Sequence, residues 1–388
     1  MAQTRLRLFL EEEIEALSDA VHEAEEAGKA FWLHPEQPAL SVWVDLPRLH
    51  DIPEPMDGSI TERALYDQLM GGVRSALESS ALGFSAMPVL YPHDRHYTGP
   101  AFGTHFLTAV LGAEVSFAKD TEQIGWNSWA KPLIQDVSGI RALEDIDVAQ
   151  SPVLQAILSG MREMAEIVRG RVPVGRYAPT NPLDFAADVI GQIAFYELVA
   201  ADPEGASALV DVCLKKWMEM MALQEAAAGV PLVNCCYIPG IRLSDMMGPY
   251  LSPTHIRTVL LPFNRKMAAL YGSCAVDIGH QDRSLLADYL TLDGLRGLSV
   301  PADWPMEPVV EGLAGKGVLQ ANYNWHFHKG KRPEAPVCIP WEDCCRQVSE
   351  VAGKLRVLAG LSGWGDTPQE RRDCVLSDLE DLRSAWDA

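Results

Sequence analysis

The sequence is short of positive charge. Its 388 residues include 32 lysines and arginines against 53 aspartates and glutamates, which gives a formal net charge of −21. Binding to nucleic acid or to an anionic membrane surface needs a basic surface, so this balance argues against both as the main partner. No apolar run reaches the roughly 18 to 20 residues of a membrane span. The composition is typical of a globular enzyme or ligand-binding protein.

Regular cysteine patterns and nucleotide-binding loops are also missing. The eight cysteines include two adjacent pairs but no C-x-x-C spacing, so neither a disulfide framework nor a redox motif is indicated. No glycine-rich phosphate-binding loop follows a candidate strand, so a nucleotide-binding fold has no support. The first 15 residues turn acidic where a secretory signal would turn apolar. These features predict a cytoplasmic protein with reduced thiols.

Helix starts are clearly marked. At five places a capping side chain precedes a proline, and proline suits the first turn of a helix. An N-terminal amphipathic helix is expected to end at Gly28, and Pro262 should kink or break the helix in which it lies. The five starts are Ser151-Pro152, Asn181-Pro182, Asp202-Pro203, Ser252-Pro253 and Thr367-Pro368.

Short apolar runs of strand length alternate with these helices. Such runs are typical of parallel strands covered on both faces, and their alternation with helices indicates βαβ units. The count favours an α/β fold, a (β/α)8 TIM barrel, over an open sheet. We expect a mostly helical N-terminal extension over residues 1–80 and the barrel over residues 81–388. The runs are Phe84–Leu90, Val172–Tyr177, Pro231–Ile238, Cys274–Gly279, Leu295–Val300, Val318–Asn322 and Leu355–Gly360, with Val337–Ile339 as an eighth candidate.

Polar side chains follow the carboxyl ends of these strands, where barrel enzymes place their active sites. Asp277 is the most informative, because an acid within an apolar strand is either paired structurally or faces a pocket. Asp277 and His280 form a candidate acid/base pair, and His326 is the third candidate catalytic residue. The candidate substrate-binding residues are His93, Asp94, Arg176, Tyr177, Asp245, Gln281, Asn322 and Trp364.

Metal ligands are few in this pattern. His280, His326 and His328 are the only candidates, and histidines two residues apart are weak evidence for zinc. Four tryptophans either pack in a core or wall a pocket for a flat or methylated ligand. They are Trp304, Trp325, Trp341 and Trp364.

Three stretches of the sequence resemble the superfamily of uroporphyrinogen decarboxylases and cobalamin-dependent methyltransferases. Residues 243–265 (LSDMMGPYLSPTHIRTVLLPFNR) resemble its "SDD…LSPE" signature. Residues 103–117 (GTHFLTAVLGAEVSF) resemble its "G.G.laa.lGaev.f" segment, and residues 170–175 with 181–185 resemble a strand and the helix after it. The resemblance covers roughly residues 60–385 and implies a (β/α)8 barrel.

The functional motifs of that superfamily do not carry over completely. Its thiol-alkylating methyltransferases hold zinc with a His-x-Cys-Gly motif and a late cysteine. The corresponding places here read DIG at residues 277–279 and GLSGW at residues 360–364, so a thiolate zinc site is not expected. The arginine-bearing RQAG segment of the decarboxylases is missing, and FSA at residues 84–86 lacks the aspartate of their FSD strand.

Three functions are therefore open. The resemblance implies two of them, and the first is methyl transfer from a small methylated substrate, such as an aryl ether or an amine, to a corrinoid on a separate protein. The alternative is a decarboxylase, a lyase acting on a carboxylated tetrapyrrole or aromatic compound without a cofactor. There Arg95 or Arg176 would hold the carboxylate, and Asp277 or His280 would protonate the carbanion. The third is a non-catalytic ligand-binding barrel. Methyl transfer is preferred because the pocket lacks the several arginines that a polycarboxylate demands, and a homodimer is a candidate assembly.

Overall fold

The structure is a computed structural model of the 388-residue chain. The predicted strands at Phe84–Leu90 and Val337–Ile339 lie outside the residues that it describes. Those residues are 15, 19, 22–23, 25–45, 105–120, 125–171, 173–176, 181–234, 238–245, 250–278, 282–301, 304–322, 341–362 and 368–388.

Eight strands are present in the described part of the chain. They are β1 (Ala39–Asp45), β2 (Val115–Asp120), β3 (Gly125–Ala130), β4 (Ile241–Ser244), β5 (Cys274–Asp277), β6 (Leu295–Ser299), β7 (Val318–Asn322) and β8 (Arg356–Ser362). β2 and β3 form an antiparallel pair of their own. The other six strands form a parallel sheet in the order β1-β8-β7-β6-β5-β4.

The order of these six strands agrees with the predicted fold class. It descends from β8 to β4 without a reversal, and β1 pairs with β8. An open doubly wound sheet reverses its order at a switch point, whereas a barrel winds in one direction and pairs its first strand with its last. The sheet is therefore that of a TIM-like α/β fold. Closure into eight strands stays a prediction, and an isolated parallel bridge between Gly175 and Val233 lies where two further strands were expected.

Two strands of the parallel sheet, β1 and β4, were missed from the sequence, and so were both strands of the antiparallel pair. β1 lies within residues 1–80, which we assigned to a mostly helical extension, yet it pairs along its whole length with β8. β4 follows the predicted run Pro231–Ile238, of which only Val233 is paired among the described residues. β4 (IRLS) alternates apolar and polar side chains, and Ser41 interrupts the apolar residues of β1 (ALSVWVD), so neither shows the uninterrupted apolar run by which we recognised the others.

The helix starts were predicted more accurately. Ser151, Asn181, Asp202 and Ser252 each cap a helix by accepting a hydrogen bond from a backbone N–H of its first turn. The helices are α1 (Phe106–Val110), α2 (Ile140–Glu144), α3 (Pro152–Val168), α4 (Pro182–Ile190), α5 (Gln192–Ala201), α6 (Pro203–Ala228), α7 (Pro253–His255), α8 (Leu261–Tyr271), α9 (Leu286–Leu290), α10 (Met306–Leu313), α11 (Trp341–Val351) and α12 (Pro368–Asp387). Among them, no helix in the described ranges is both long and apolar enough to cross a bilayer.

Pro262 interrupts its helix as predicted. A π-helical turn over Ile256–Leu260 joins α7 to α8, and Pro262 lies in the first turn of α8. Proline cannot donate a backbone hydrogen bond, and its ring collides with the carbonyl four residues earlier in a regular α-helix. The wider π turn before it accommodates this mismatch.

The sheet separates two hydrophobic clusters. Leu243, Val276 and Leu298 belong to the larger cluster, which they form with side chains of the surrounding helices. Ala275 and the residues that share its face pack instead against the end of the N-terminal helix. We call the face that carries Ala275, Val318 and Leu358 the inner face, and the opposite one the helix-covered face.

The N-terminal helix closes one end of the inner face. It does not end at Gly28 as predicted but continues to residue 33, so that Phe31 and Trp32 reach the inner-face cluster. The ring of Trp32 lies so close to Gly297 that a Cβ there would meet it at 3.2 Å. Glycine at this position of β6 therefore makes room for the indole.

Arg356 fixes this helix to the sheet, and its loss is expected to be costly. The guanidinium donates to the carbonyl oxygens of Phe31 at 2.6 Å and Gln37 at 2.7 Å, and it lies 5.0 Å from the centre of the Phe31 ring. Arg356→Met would leave both carbonyls without these donors, so we expect the free energy of unfolding to fall by roughly 2 to 4 kcal/mol.

Urea denaturation measures this loss. The control is Arg346→Met, which removes an exposed arginine paired with Asp343 and Glu350 on one face of α11. The control should change the free energy of unfolding by about 0.5 kcal/mol or less, since exposed pairs of this kind contribute little. Equal effects of the two substitutions would contradict the role given to Arg356.

Candidate functional site

The inner face carries a row of mostly small and apolar side chains near the amino ends of the strands. Paired residues in neighbouring parallel strands point to the same face, so the register identifies the members of the row. Five successive pairings across the sheet give Ala39, Arg356, Val318, Gly297, Ala275 and Arg242. We call this set the floor row, because Phe31 and Trp32 pack beneath it.

A second row lies two residues further along each strand, towards the carboxyl ends. Its members are Ser41, Leu358, Gln320, Ser299, Asp277 and Ser244. Five of these six are polar, and we call the set the polar row. A band of polar side chains on the inner face, at the end of the strands where barrel enzymes bind substrate, is the candidate functional site.

The polar row is buried at one end and accessible at the other. Ser41 and Gln320, on β1 and β7, are 0% and 2% exposed. Asp277 on β5 keeps 27% of its side chain exposed, and its ion-pair partner Arg242, a member of the floor row on β4, keeps 37%. A ligand would therefore reach the row from the side of β4 and β5.

Asp277 occupies the accessible end as the last residue of β5. Its neighbour Val276 belongs to the helix-covered cluster, so strand alternation places Asp277 on the inner face. Arg242 Nη2 donates to Asp277 Oδ2 at 3.2 Å. A pair this exposed contributes only about 0 to 1 kcal/mol to stability, so its main effect is to orient the carboxylate.

Asp245 lies on the other face, contrary to its predicted place in the substrate site. The carboxylate is 1% exposed, and Oδ2 accepts a hydrogen bond from the Tyr289 hydroxyl at 2.6 Å. Asn264 Nδ2 lies 3.3 Å from both carboxylate oxygens. Residues 243 and 245 share a face of the strand, so Asp245 joins Leu243 beneath the helices instead of the polar row.

Burial dominates the electrostatics of Asp245. Desolvation raises the pKa of its carboxyl from 3.8 to about 7, although the hydrogen bonds from Tyr289 and Asn264 act in the opposite direction. Burial likewise raises the pKa of the Tyr289 hydroxyl far above its usual value. The backbone N–H of Asp245 donates to the carbonyl of Asp277 at 2.9 Å. Asp245 thus contacts the candidate site through the backbone of Asp277.

Arg176 also points away from the polar row. Its guanidinium donates to Glu225 at 2.9 Å and to Asn234 at 3.3 Å, and it lies 5.7 Å from the centre of the Tyr271 ring. Glu225 belongs to α6 and Tyr271 to α8, so these contacts hold the side chain among the helices. The predicted contact with a substrate carboxylate therefore has no geometric support.

The other predicted site residues are only partly described. Asn322 is the last residue of β7, and only its backbone is described. The remaining predicted residues lie outside the described part of the chain. They are His93, Asp94, Tyr177, His280, Gln281, His326, His328 and Trp364.

Two of the four tryptophans proposed as pocket walls are core residues. Trp304 and Trp341 belong to the helix-covered cluster, and Trp341 Nε1 donates to Asp381 on α12 at 2.9 Å. Among the described residues, the aromatic side chains of Phe31 and Trp32 pack against the floor row instead, and the sequence pattern did not reveal either of them. Alternating polar residues within the strands are the signal that would have revealed Gln320 and Ser299.

Metal and thiolate chemistry gain no support from the described side chains. Among them, no three His, Cys, Asp or Glu side chains are grouped closely enough to hold a metal ion. Cys274 begins β5, but it faces the helices, and burial raises the pKa of its thiol to about 12. A thiol in that environment stays protonated near neutral pH and is a poor ligand or nucleophile.

A cleft of about 390 Å³ lies at the opposite end of the sheet. It is bordered by residues 290–296, which lead into β6 and include its first two residues, and by residues 312, 313, 315 and 316, which precede β7. This places it at the amino ends of the strands, where barrel proteins build stability and not catalysis. The polar row is therefore the better candidate site.

Comparison with known proteins finds similarity among solved structures. No family model matches the sequence, and no curated protein matches it significantly. Among solved structures, the chain is similar to a methyltransferase from Methanosarcina mazei, with 18% sequence identity and a TM-score of 0.58. The similarity covers 92% of this chain and 96% of that chain. The two chains share a fold. At this level of identity the fold is what the similarity establishes.

Proposed function

We propose that this protein is a methyltransferase that takes a methyl group from a small methylated substrate and passes it to a corrinoid on a separate protein. The observation that carries the proposal is the fold shared with a methyltransferase over 92% of the chain. The polar row supports it by offering a substrate site at the carboxyl ends of the strands. The corrinoid partner comes from the superfamily resemblance of the sequence.

The chemistry requires a proton as well as a methyl acceptor. The methyl group leaves its nitrogen or oxygen without the bonding electrons, and the acceptor supplies the electron pair of the new bond. The nitrogen or oxygen keeps the original pair and takes up a proton. The corrinoid supplies the nucleophilic acceptor when the partner protein is bound. The residues of this chain bind and orient the substrate and deliver the proton to the nitrogen or oxygen that loses the methyl group.

The accessible end of the polar row suits this task. Asp277 offers a carboxylate that can hold a donor group of the substrate, and Arg242 fixes the orientation of that carboxylate from β4. Phe31 and Trp32 close the space below and exclude water from that side. The methylated end of the substrate must face the open side, because a separate protein has to approach it there.

Methyl transfer to cob(I)alamin tests the proposal. With a panel of small methyl ethers and methylamines, the protein should form methylcobalamin faster than the same mixture without it. Arg242→Ala should lower kcat/KM by about 100-fold, because it releases the carboxylate that positions the substrate. Lys266→Ala, which removes an exposed lysine paired with Asp211, should leave the rate unchanged.

The other functions give different results in the same assays. Release of CO₂ from carboxylated aromatics or porphyrinogens without methyl transfer would replace the proposal by a decarboxylase. Ligand binding without turnover of any substrate would indicate a non-catalytic barrel. The guanidinium of Arg176 contacts Glu225 and Asn234 instead of the polar row, so no contact among the described residues favours the decarboxylase.

A further inference from the structure

Gln320 is a buried polar side chain whose oxygen accepts no hydrogen bond from the described residues. It is 2% exposed, and its Oε1 atom is fully buried. Val318 belongs to the inner-face cluster and Leu319 to the helix-covered cluster, so alternation places Gln320 on the inner face. There it belongs to the polar row, beside Leu358 of β8.

Such an oxygen is unusual inside a protein. Most buried polar atoms have a hydrogen-bond partner, and one that lacks it destabilises the fold relative to an apolar side chain of the same shape. Asn264 and Asn181, two other buried amides of this chain, both make hydrogen bonds with their side chains. The unpaired oxygen of Gln320 lies in the candidate site, where a ligand can provide the missing donor.

The row places a second acceptor within reach of the same ligand. Asp277 lies two strands from Gln320, which separates the two backbones by about 10 Å. Their side chains share the inner face, with Ser299 on the strand between them. A small molecule can therefore contact Gln320 with its inner end and extend towards Asp277 and the accessible side.

We infer that Gln320 binds the substrate by accepting a hydrogen bond from an N–H or O–H group at its inner end. This inference rests on the proposed function for the site and narrows its substrate class. The substrate is then a small methylated compound that also carries such a donor, for example a hydroxylated methyl ether or an incompletely methylated amine or amide. Analogues without the donor leave the glutamine oxygen unpaired and should bind much more weakly.

The first test concerns the protein without ligand. Gln320→Met keeps the length of the side chain and removes the unpaired oxygen, so the melting temperature should stay the same or rise. The matched control is Gln224→Met, since Gln224 is 0% exposed and its Nε2 donates to the sulfur of Met221. The control should melt lower than the unaltered protein, because methionine cannot make the hydrogen bonds of the native glutamine. A comparable fall in Gln320→Met would show that Gln320 has a structural partner and would overturn the inference.

The second test uses pairs of probes that differ in the donor. The pairs are guaiacol and veratrole, N-methylacetamide and N,N-dimethylacetamide, and dimethylammonium and tetramethylammonium. Titration followed by NMR should show at least tenfold tighter binding of the donor-bearing member of at least one pair. In Gln320→Met that difference should shrink to about twofold or less. A tenfold difference corresponds to about 1.4 kcal/mol, within the range for one hydrogen bond in a buried site.

The outcomes separate this inference from the proposed function. If no pair shows a donor-dependent difference, or if the difference persists in Gln320→Met, the inference is wrong. Donor-dependent binding without methyl transfer to cob(I)alamin would support the role of Gln320 and contradict the proposed methyltransferase function. If substrates without the donor are demethylated with the same kcat/KM as substrates that carry it, the methyltransferase function is supported and the role of Gln320 is contradicted.

Discussion

Asp277→Asn is expected to lower kcat for methyl transfer by about 10²- to 10⁴-fold, or roughly 3 to 5 kcal/mol of barrier. Asparagine keeps the shape of the side chain and removes its charge. The substitution therefore removes the carboxylate that Arg242 orients at the accessible end of the polar row. The variant also loses the ability to bind or transfer a proton at the Asp277 carboxylate. An interaction of this kind acts mainly in the transition state, so KM should change much less than kcat.

Steady-state kinetics with the best methyl donor and cob(I)alamin measure both constants. The matched control is Asp211→Asn, which removes an acid from another exposed ion pair, with Lys266 on the helical surface. That variant should keep the kcat and KM of the unaltered protein. Full turnover by Asp277→Asn would show that the ion pair with Arg242 is structural, and the site would then have to be sought elsewhere on the inner face.

Asp245 should make the stability of the protein depend on pH. The carboxyl has a pKa of about 7 in the folded chain because it is buried, against an ordinary value of 3.8 when it is exposed by unfolding. Between these values the folded state binds a proton that the unfolded state has released, so stability falls as pH rises. The expected loss from Asp245 is on the order of 4 kcal/mol, complete above about pH 7.

Asp245→Asn removes this titration and provides the test. Relative to the unaltered protein, the variant should become progressively more stable between pH 4 and pH 8, by roughly 4 kcal/mol over the whole interval. Urea denaturation at several pH values gives the difference at each point. Asp288→Asn, which removes a partly exposed acid paired with Arg257, should show no comparable trend. A difference between Asp245→Asn and the unaltered protein that does not vary with pH would contradict the raised pKa.

Other charged groups near Asp245 do not change the direction of this effect. Asp277 repels the carboxylate and raises its pKa further, whereas the hydrogen bonds from Tyr289 and Asn264 only moderate the increase. Tyr289 stays protonated throughout the interval, because burial raises the pKa of its hydroxyl. The sign is therefore set by desolvation, which favours the neutral form of an acid.

The sequence by itself determined the features that depend on neighbouring residues. Asn181 followed by proline starts α4 for a local reason, because its side chain accepts hydrogen bonds from the N–H groups of Leu183 and Asp184 and proline has the φ angle of a first helical residue. The apolar run Val318–Asn322 forms β7 with the predicted ends, since a strand covered on both faces is apolar along most of its length. Pro262 disturbed its helix for an equally local reason.

Only the tertiary structure decided which side chains share a site. Asp245 and Asp277 were both predicted as residues of one site, yet one faces the helices and the other the inner face. Strand ends and register settle that choice, because a shift of one residue sends a side chain to the opposite face. The same register brings Gln320 and Ser299 into a row with Asp277, although the three residues are far apart in the chain. Contacts of this kind arise from strand pairing, which no local pattern in the sequence specifies.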